Sequence, residues 1–312
     1  LYWSFPVPRL PQTPNISIVI PLQGDERMFE DTVLSVLENR PQGCQVVAVH
    51  NGNYNDPFHL DDEVTFATAR SSKLVDLIRD AYPSTKAPLV QVLVSGTRAG
   101  SGWADELTER FEDSDLGATV GTLADADRNT VSANGWSDVA GRFAEPLSGP
   151  TSQLSTRSNH GFFLNGFAIR RRLLGGLLDA VAPAMVDPIA VAYAFGCLIN
   201  RAGWDMSIAS DYPLAIDREA RHSDPSDVDR GICLSAIRQL LLADQPMPGL
   251  TDLFKSAVFG SSSLGEMFGM LRYRTVLPAM RRSIDAERVP TIDEMATILT
   301  LTKQGRLMRR AA

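Results

Sequence analysis

Short, almost wholly apolar runs alternate with amphipathic stretches through the first two-thirds of the chain. Ile16 to Leu22 and Cys44 to His50 are dominated by Ile, Val, Leu and Ala, the pattern of strands covered by helices on both faces. Between them, Glu26 to Glu38 places Phe29, Val33, Val36 and Leu37 on one side of a helix. Glu63 to Ala69 reads as a third strand, Ser71 as the cap of a helix that turns Leu74, Leu77 and Ile78 inward, and Leu89 to Val94 as a fourth strand. Repetition of strand, helix and strand predicts a parallel sheet with right-handed crossovers. The carboxyl ends of such strands form a crest where ligands bind.

Farther along, the pattern predicts a helix from about Gly102 to Phe111 and a strand at Ala118 to Leu123. The polar, glycine-containing stretch that follows, through Thr156, reads as loops and short strands in a lid or insertion. Gly161 to Ile169 is strand-like, Arg171 to Ala182 and Pro188 to Arg201 are helical, and Met206 to Ala209 is a short strand. Beyond Arg221 nearly everything is helical: Val228 to Leu242, Leu250 to Phe259, Leu264 to Arg282 and Ile292 to Leu301. The expected division is an α/β domain over residues 1–221 and a separable helical extension over 222–312. Met267, Phe268, Met270 and Leu271 are expected to pack that extension on the main domain; left exposed, they would mark a partner surface.

Composition narrows the partners. A net charge of -7 over 312 residues argues against a general nucleic-acid face, although Arg170 to Arg172 form a local basic patch. Cys44, Cys197 and Cys233 lack zinc-site spacing and read as packed thiols. His160 and His222 have no partners at metal spacing, and Gly260 to Ser263 lack the lysine of a phosphate loop. No run reaches the roughly 18 apolar residues of a membrane span. A soluble, cytoplasmic protein is expected. The chain opens on Leu1 rather than Met, so a true N-terminus and any targeting signal are expected to precede it.

Five pieces in order, ISIVIPLQGDE, TVLSVLENR, VVAVHNGNYND, Gly102-Trp103 with FEDSDLGATVG, and INRAGW, resemble family 2 glycosyltransferases of the GT-A fold over about Asn15 to Pro213. The resemblance implies a mostly parallel central sheet flanked by helices. It also implies transfer of a sugar from a nucleoside-diphosphate sugar to the hydroxyl of a saccharide or other acceptor. The family's chemistry uses an acid after the second strand to hold the base, an Asp-x-Asp after the fourth strand to hold manganese or magnesium on the diphosphate, and a later Glu-Asp pair as general base.

This chain departs from that pattern in two of the three places. His50-Asn51-Gly52 stands where the family has Asp-Asn-Gly, so a neutral imidazole either meets the base or merely caps the strand end. Ser95-Gly96-Thr97 occupies the metal position, and hydroxyls are poor ligands for hard divalent ions. Arg98 or Arg70 is a substitute clamp for the diphosphate, against the alternative of solvated loop charges. Asp125-Ala126-Asp127, one strand later, is the fallback metal pair, against the alternative of turn acids. The third place is partly kept: Asp187 before Pro188 is the candidate base and equally a helix N-cap. Pro21 and Asp56 fall beside the donor, and Asn165 and Gly166 beneath the acceptor. A donor-using transferase is thus the leading expectation. Its rival is a non-catalytic descendant that binds nucleotide, saccharide or, through the helical tail, a protein.

Overall fold

The computed structural model describes residues 14–125, 130–139, 142–148, 159–216, 227–244, 249, 251 and 264–295. Strands β1 (Ile16–Pro21), β2 (Cys44–His50), β3 (Val64–Thr68) and β4 (Leu89–Val92) pair in parallel in the order β3-β2-β1-β4. Helix α1 (Glu26–Glu38) follows β1, and α2 (Leu74–Ala81) precedes β4. The Asp25 carboxylate caps α1 by accepting from the Arg27 N–H, and Phe29, Thr32, Val33 and Val36 are its buried side. Successive strand residues feed opposite layers: Ile18, Ile20, Val46 and Ala48 meet α1, whereas Val19, Val47 and Val49 belong to the cluster on the other face. That two-sided burial is why these runs carry no polar alternation.

The sheet then departs from the parallel pattern. Strand β10 (Phe167–Arg170) inserts antiparallel between β4 and β6 (Leu116–Asp125). Beyond β6 lie β11 (Asp205–Ile216), parallel to it, and the two-residue β5 (Thr97–Arg98), antiparallel to β11. Because β4 and β6 are both antiparallel to β10, they run in the same direction, and Val94 and Asp125 reach the same crest. The stretch expected as lid loops contains a hairpin of β7 (Thr130–Val139) and β8 (Arg142–Ser148), with β9 (Gly161–Phe162) alongside. Helix α3 (Asp105–Arg110) leads into β6, while α4 (Arg171–Ala180) and α5 (Pro188–Arg201) cover the second face.

Three further helices, α6 (Asp227–Leu241), α7 (Leu264–Arg272) and α8 (Leu277–Ser283), follow in the helical tail. Leu234, Ile237, Leu241, Met270, Ile284 and Val289 join the same apolar cluster as α4 and α5. Gly269 lets α7 cross α6 closely, since a Cβ there would stand 2.2 Å from the Val228 carbonyl oxygen. The expected helix Leu250 to Phe259 lies mostly outside the described residues, as do Ala126 and Asp127.

Candidate functional site

The crest is built from the ends of β1, β2 and β4. A four-residue turn follows β4, closed by the Thr97 N–H donating to the Val94 carbonyl at 3.0 Å, with Gly96 at φ +86 as its third residue. Ser95 occupies the second place in this turn and is 2% exposed. Its hydroxyl donates to the Pro21 carbonyl at 2.8 Å and accepts from the Gln23 N–H at 3.0 Å. The Gly96 N–H donates to the Thr32 hydroxyl of α1 at 2.9 Å. Thr97 is fully buried and shares a hydrogen bond with the Asn165 amide at 3.2 to 3.3 Å, while Asn165 Oδ1 accepts from the Val94 N–H at 2.9 Å. Gly166, at φ +63, donates to Val92 and accepts from Gly121, stitching β4 to β6.

Pro21, Ser95, Thr97, Asn165 and Gly166 are therefore brought together, but as the frame of the crest. At the place where the resemblance calls for a metal, both hydroxyls are buried and already bonded, that of Ser95 to backbone and that of Thr97 to the Asn165 amide. These residues do not fit a divalent cation, and no cluster of three or more His, Cys, Asp or Glu occurs among the described residues.

On the β2 side, the His50 Nδ1 accepts from the Gly52 N–H at 3.1 Å. The neutral ring then carries its proton on Nε2. Partial burial holds its pKa below the usual imidazole value. Asn51 and Gly52 are exposed, and Gly52 sits at φ +93. Tyr54, missed by the sequence reading, is 8% exposed between Phe29 and Phe66, with ring centroids 5.1 and 6.1 Å away, and His50 packs on it at 5.7 Å. Burial and the charges of Glu30, Asp56 and Glu26 raise its pKa. Asp56 itself folds the loop by accepting from the Phe58 and Leu60 N–H groups.

The candidate cations are engaged. Arg70 pairs with Asp80 of α2 through its side chain and backbone. Arg98 is half-exposed and pairs with Asp31 of α1 at 3.3 Å, an exposed pairing of the kind worth little and easily exchanged. Glu26, Glu30 and Asp56 act together on Tyr54, so this edge of the crest carries negative charge.

The sheet register brings the backbone of Asp125, which the strand order puts one strand too late, toward that of Thr97. Ile216 pairs with Thr97 on one side and with Asp125 on the other. The Asp125 backbone thus lies about 9 to 10 Å, two strand spacings, from that of Thr97. Asp187 is the N-cap of α5: its Oδ1 accepts from the Ala190 N–H at 2.6 Å. Its charge acts on Cys233 of α6, helping burial raise that thiol's pKa. No described hydrogen bond joins Asp187 to the crest.

A buried polar cluster was also invisible in the sequence. Asp138 of β7 accepts from the Tyr193 hydroxyl of α5 at 2.8 Å and from the Arg238 guanidinium of α6, and its other oxygen accepts from the Ala144 N–H at 3.1 Å. Arg238 lies 5.0 Å from the centroid of the Phe143 ring. Its members are separated by up to 100 residues, which leaves no local signal.

No protein-family model and no curated protein matches the chain. Solved structures do. Two crystal structures superimpose at TM-scores just under 0.5: S. aureus TarS 1-349 at 0.48, with 11% identity over 86% of this chain and 91% of that one, and GalNAc-T7 with UDP, GalNAc and Mn2+ at 0.49, with 14% identity over 86% of this chain and 58% of that one. The crystal structure of S. aureus TarS 1-349 in complex with UDP-GlcNAc superimposes at a TM-score of 0.53, with 11% identity over 93% of this chain and 92% of that one. At such identity the likeness speaks for architecture: a central sheet flanked by helices, in the GT-A fold of glycosyltransferases.

Proposed function

We propose that this chain is a family 2-like glycosyltransferase that holds a nucleoside-diphosphate sugar across the crest and transfers the sugar to an acceptor hydroxyl. The observation that carries the reading is the crest itself, where His50 and exposed Asn51 and Gly52 end β2 on one side of β1 and a turn tied to β1 follows β4 on the other. The TarS structure that overlaps 93% of this chain holds UDP-GlcNAc, which favours a nucleotide-sugar ligand here. His50 donates to a base carbonyl, and Asn51 and Gly52 present polar groups to the ribose or base. Asp187, at the N-terminus of α5, is the candidate base. The low cysteine content fits a cytoplasmic setting.

The diphosphate needs positive charge, and the turn at Ser95 does not hold a cation. Two sources are carried forward: Arg98 released from Asp31, or a divalent ion, manganese or magnesium, on Asp125 and Asp127. The carboxylates of Glu26, Glu30 and Asp56 around Tyr54 repel an anionic donor unless one of these cations intervenes. The buried hydroxyl turn favours a second reading, a non-catalytic descendant that binds the nucleotide without turning it over.

Calorimetric titration with nucleoside diphosphates and their sugars, with manganese and then with chelator, separates these. Binding lost in chelator and in Asp125→Asn supports the cation; binding indifferent to chelator and weakened by Arg98→Ala supports the arginine. If turnover occurs, Asp187→Asn lowers the rate far more than donor affinity. Binding without turnover establishes the non-catalytic reading, and no binding under any condition overturns both.

A further inference from the structure

We propose that the outward side of α7 and α8 is a docking face for an anionic lipid bilayer. Charge is unevenly distributed along the chain: residues 267–312 carry nine Lys and Arg against four Asp and Glu, a net of +5, whereas the preceding 266 residues carry -12. From Met267 to Ile284 the sequence contains four arginines and no acid. Arg272, Arg274, Arg281 and Arg282 are all exposed, and none forms an ion pair with a carboxylate among the described residues.

Apolar exposure coincides with this charge. Phe268 is 57% exposed and Leu271 50%, two of the three large apolar side chains exposed among the described residues. Their spacing puts Phe268, Leu271 and Arg272 on one side of α7. Gly269 instead faces α6, and Met270 is buried. The helix thus turns its small residue inward and its aromatic outward, contrary to what packing on the core alone would favour.

The pairing of features selects the partner. A nucleic acid attracts the arginines but leaves Phe268 and Leu271 in water; a neutral apolar surface does the reverse. An anionic bilayer satisfies both, with the two apolar side chains dipping past the headgroups and the arginine stems extending to the phosphates. Such a face lies on the membrane, consistent with no helix among the described residues being long and apolar enough to cross one.

The test is co-sedimentation of the full chain with vesicles of phosphatidylcholine alone or with about 30% phosphatidylglycerol, from 50 to 500 mM salt, without any donor. The expected result is binding to the anionic vesicles only, weakening as salt rises. Replacing the four arginines by Gln lowers partitioning by at least ~100-fold at low salt. F268S/L271S lowers it by about 10-fold with charge unchanged. Failure of the unmutated chain to bind anionic vesicles at low salt overturns the proposal. So does unchanged binding by a quadruple variant that circular dichroism shows to be folded, or binding of an oligonucleotide in place of vesicles. None of these outcomes depends on the donor site.

Discussion

Ser95 shows how one side chain can look catalytic by position and be structural by bonding. Its hydroxyl joins the ends of β1 and β4 and is closed off from water. Ser95→Ala should cost about 1 to 3 kcal/mol by leaving a buried carbonyl and an N–H unsatisfied. Ser95→Asp, which introduces an acid at this turn, should cost more, because it presses a buried carboxylate against the Pro21 carbonyl oxygen. Chemical denaturation with and without manganese checks both. An aspartate variant as stable as the parent, or one that gains manganese affinity, would show that the turn is a dormant metal site. His50 makes a pH prediction. Its folded pKa lies below the ordinary imidazole value, so on acidification the unfolded chain takes the proton first and stability falls as pH drops below about 6.5. The Nδ1 that accepts from Gly52 also loses its lone pair on protonation. Between pH 7.5 and 5.5 the parent should lose more thermal stability than His50→Gln; equal losses would remove His50 as the cause.

At the scale of elements, legibility followed burial. Helix α1 over Glu26–Glu38, β2 over Cys44–His50 and α5 over Pro188–Arg201 were readable to the residue because each carries one unbroken periodicity. Ser71 failed as a cap since its hydroxyl instead donates to Asp76 and accepts from the Lys73 N–H, and the helix starts later, at Leu74. The β7 and β8 hairpin was hidden because TVSANGWSDV is polar and glycine-bearing and its pairing is interrupted by register shifts. Gly135 is required there by close approach, since a Cβ would stand 2.6 Å from Asn159 Oδ1. Met206 to Ala209 was readable, but β11 runs on to Ile216, its pairing with β6 shifting register between Ala209 and Leu214. Three elements converge on the Asp138 and Arg238 pair, whose side chains are 12% and 10% exposed. Asp138→Asn and Arg238→Met should each cost about 3 to 5 kcal/mol, and the double variant less than their sum, because each single change strands a buried partner. Additive losses in a denaturation cycle would mean that the pair contributes no coupling.

For the whole molecule, the order of strands along the chain and their order in the sheet lead to different sites. Read along the chain, Asp125 comes one strand after the position expected for a metal ligand; in the folded sheet, Ile216 sets it two strands from Thr97. Antiparallel β10, unforeseen by the parallel reading, inserts between β4 and β6 in the sheet and leaves the two running the same way. The helices of the tail enter the cluster that covers the second face, and Trp204 donates to the Pro290 carbonyl at 2.8 Å. What local periodicity encodes is the elements; which crest residues meet is set by pairings across more than 60 residues. The central claim is that a nucleoside diphosphate lies on this crest. A crystal of the full chain soaked with uridine or guanosine diphosphate and manganese tests it most directly. The account predicts density for the base against His50, Asn51 and Gly52, with the phosphates directed toward Thr97 and Asp125. Nucleotide density confined to another surface, or a crest left empty at saturating nucleotide, would contradict it.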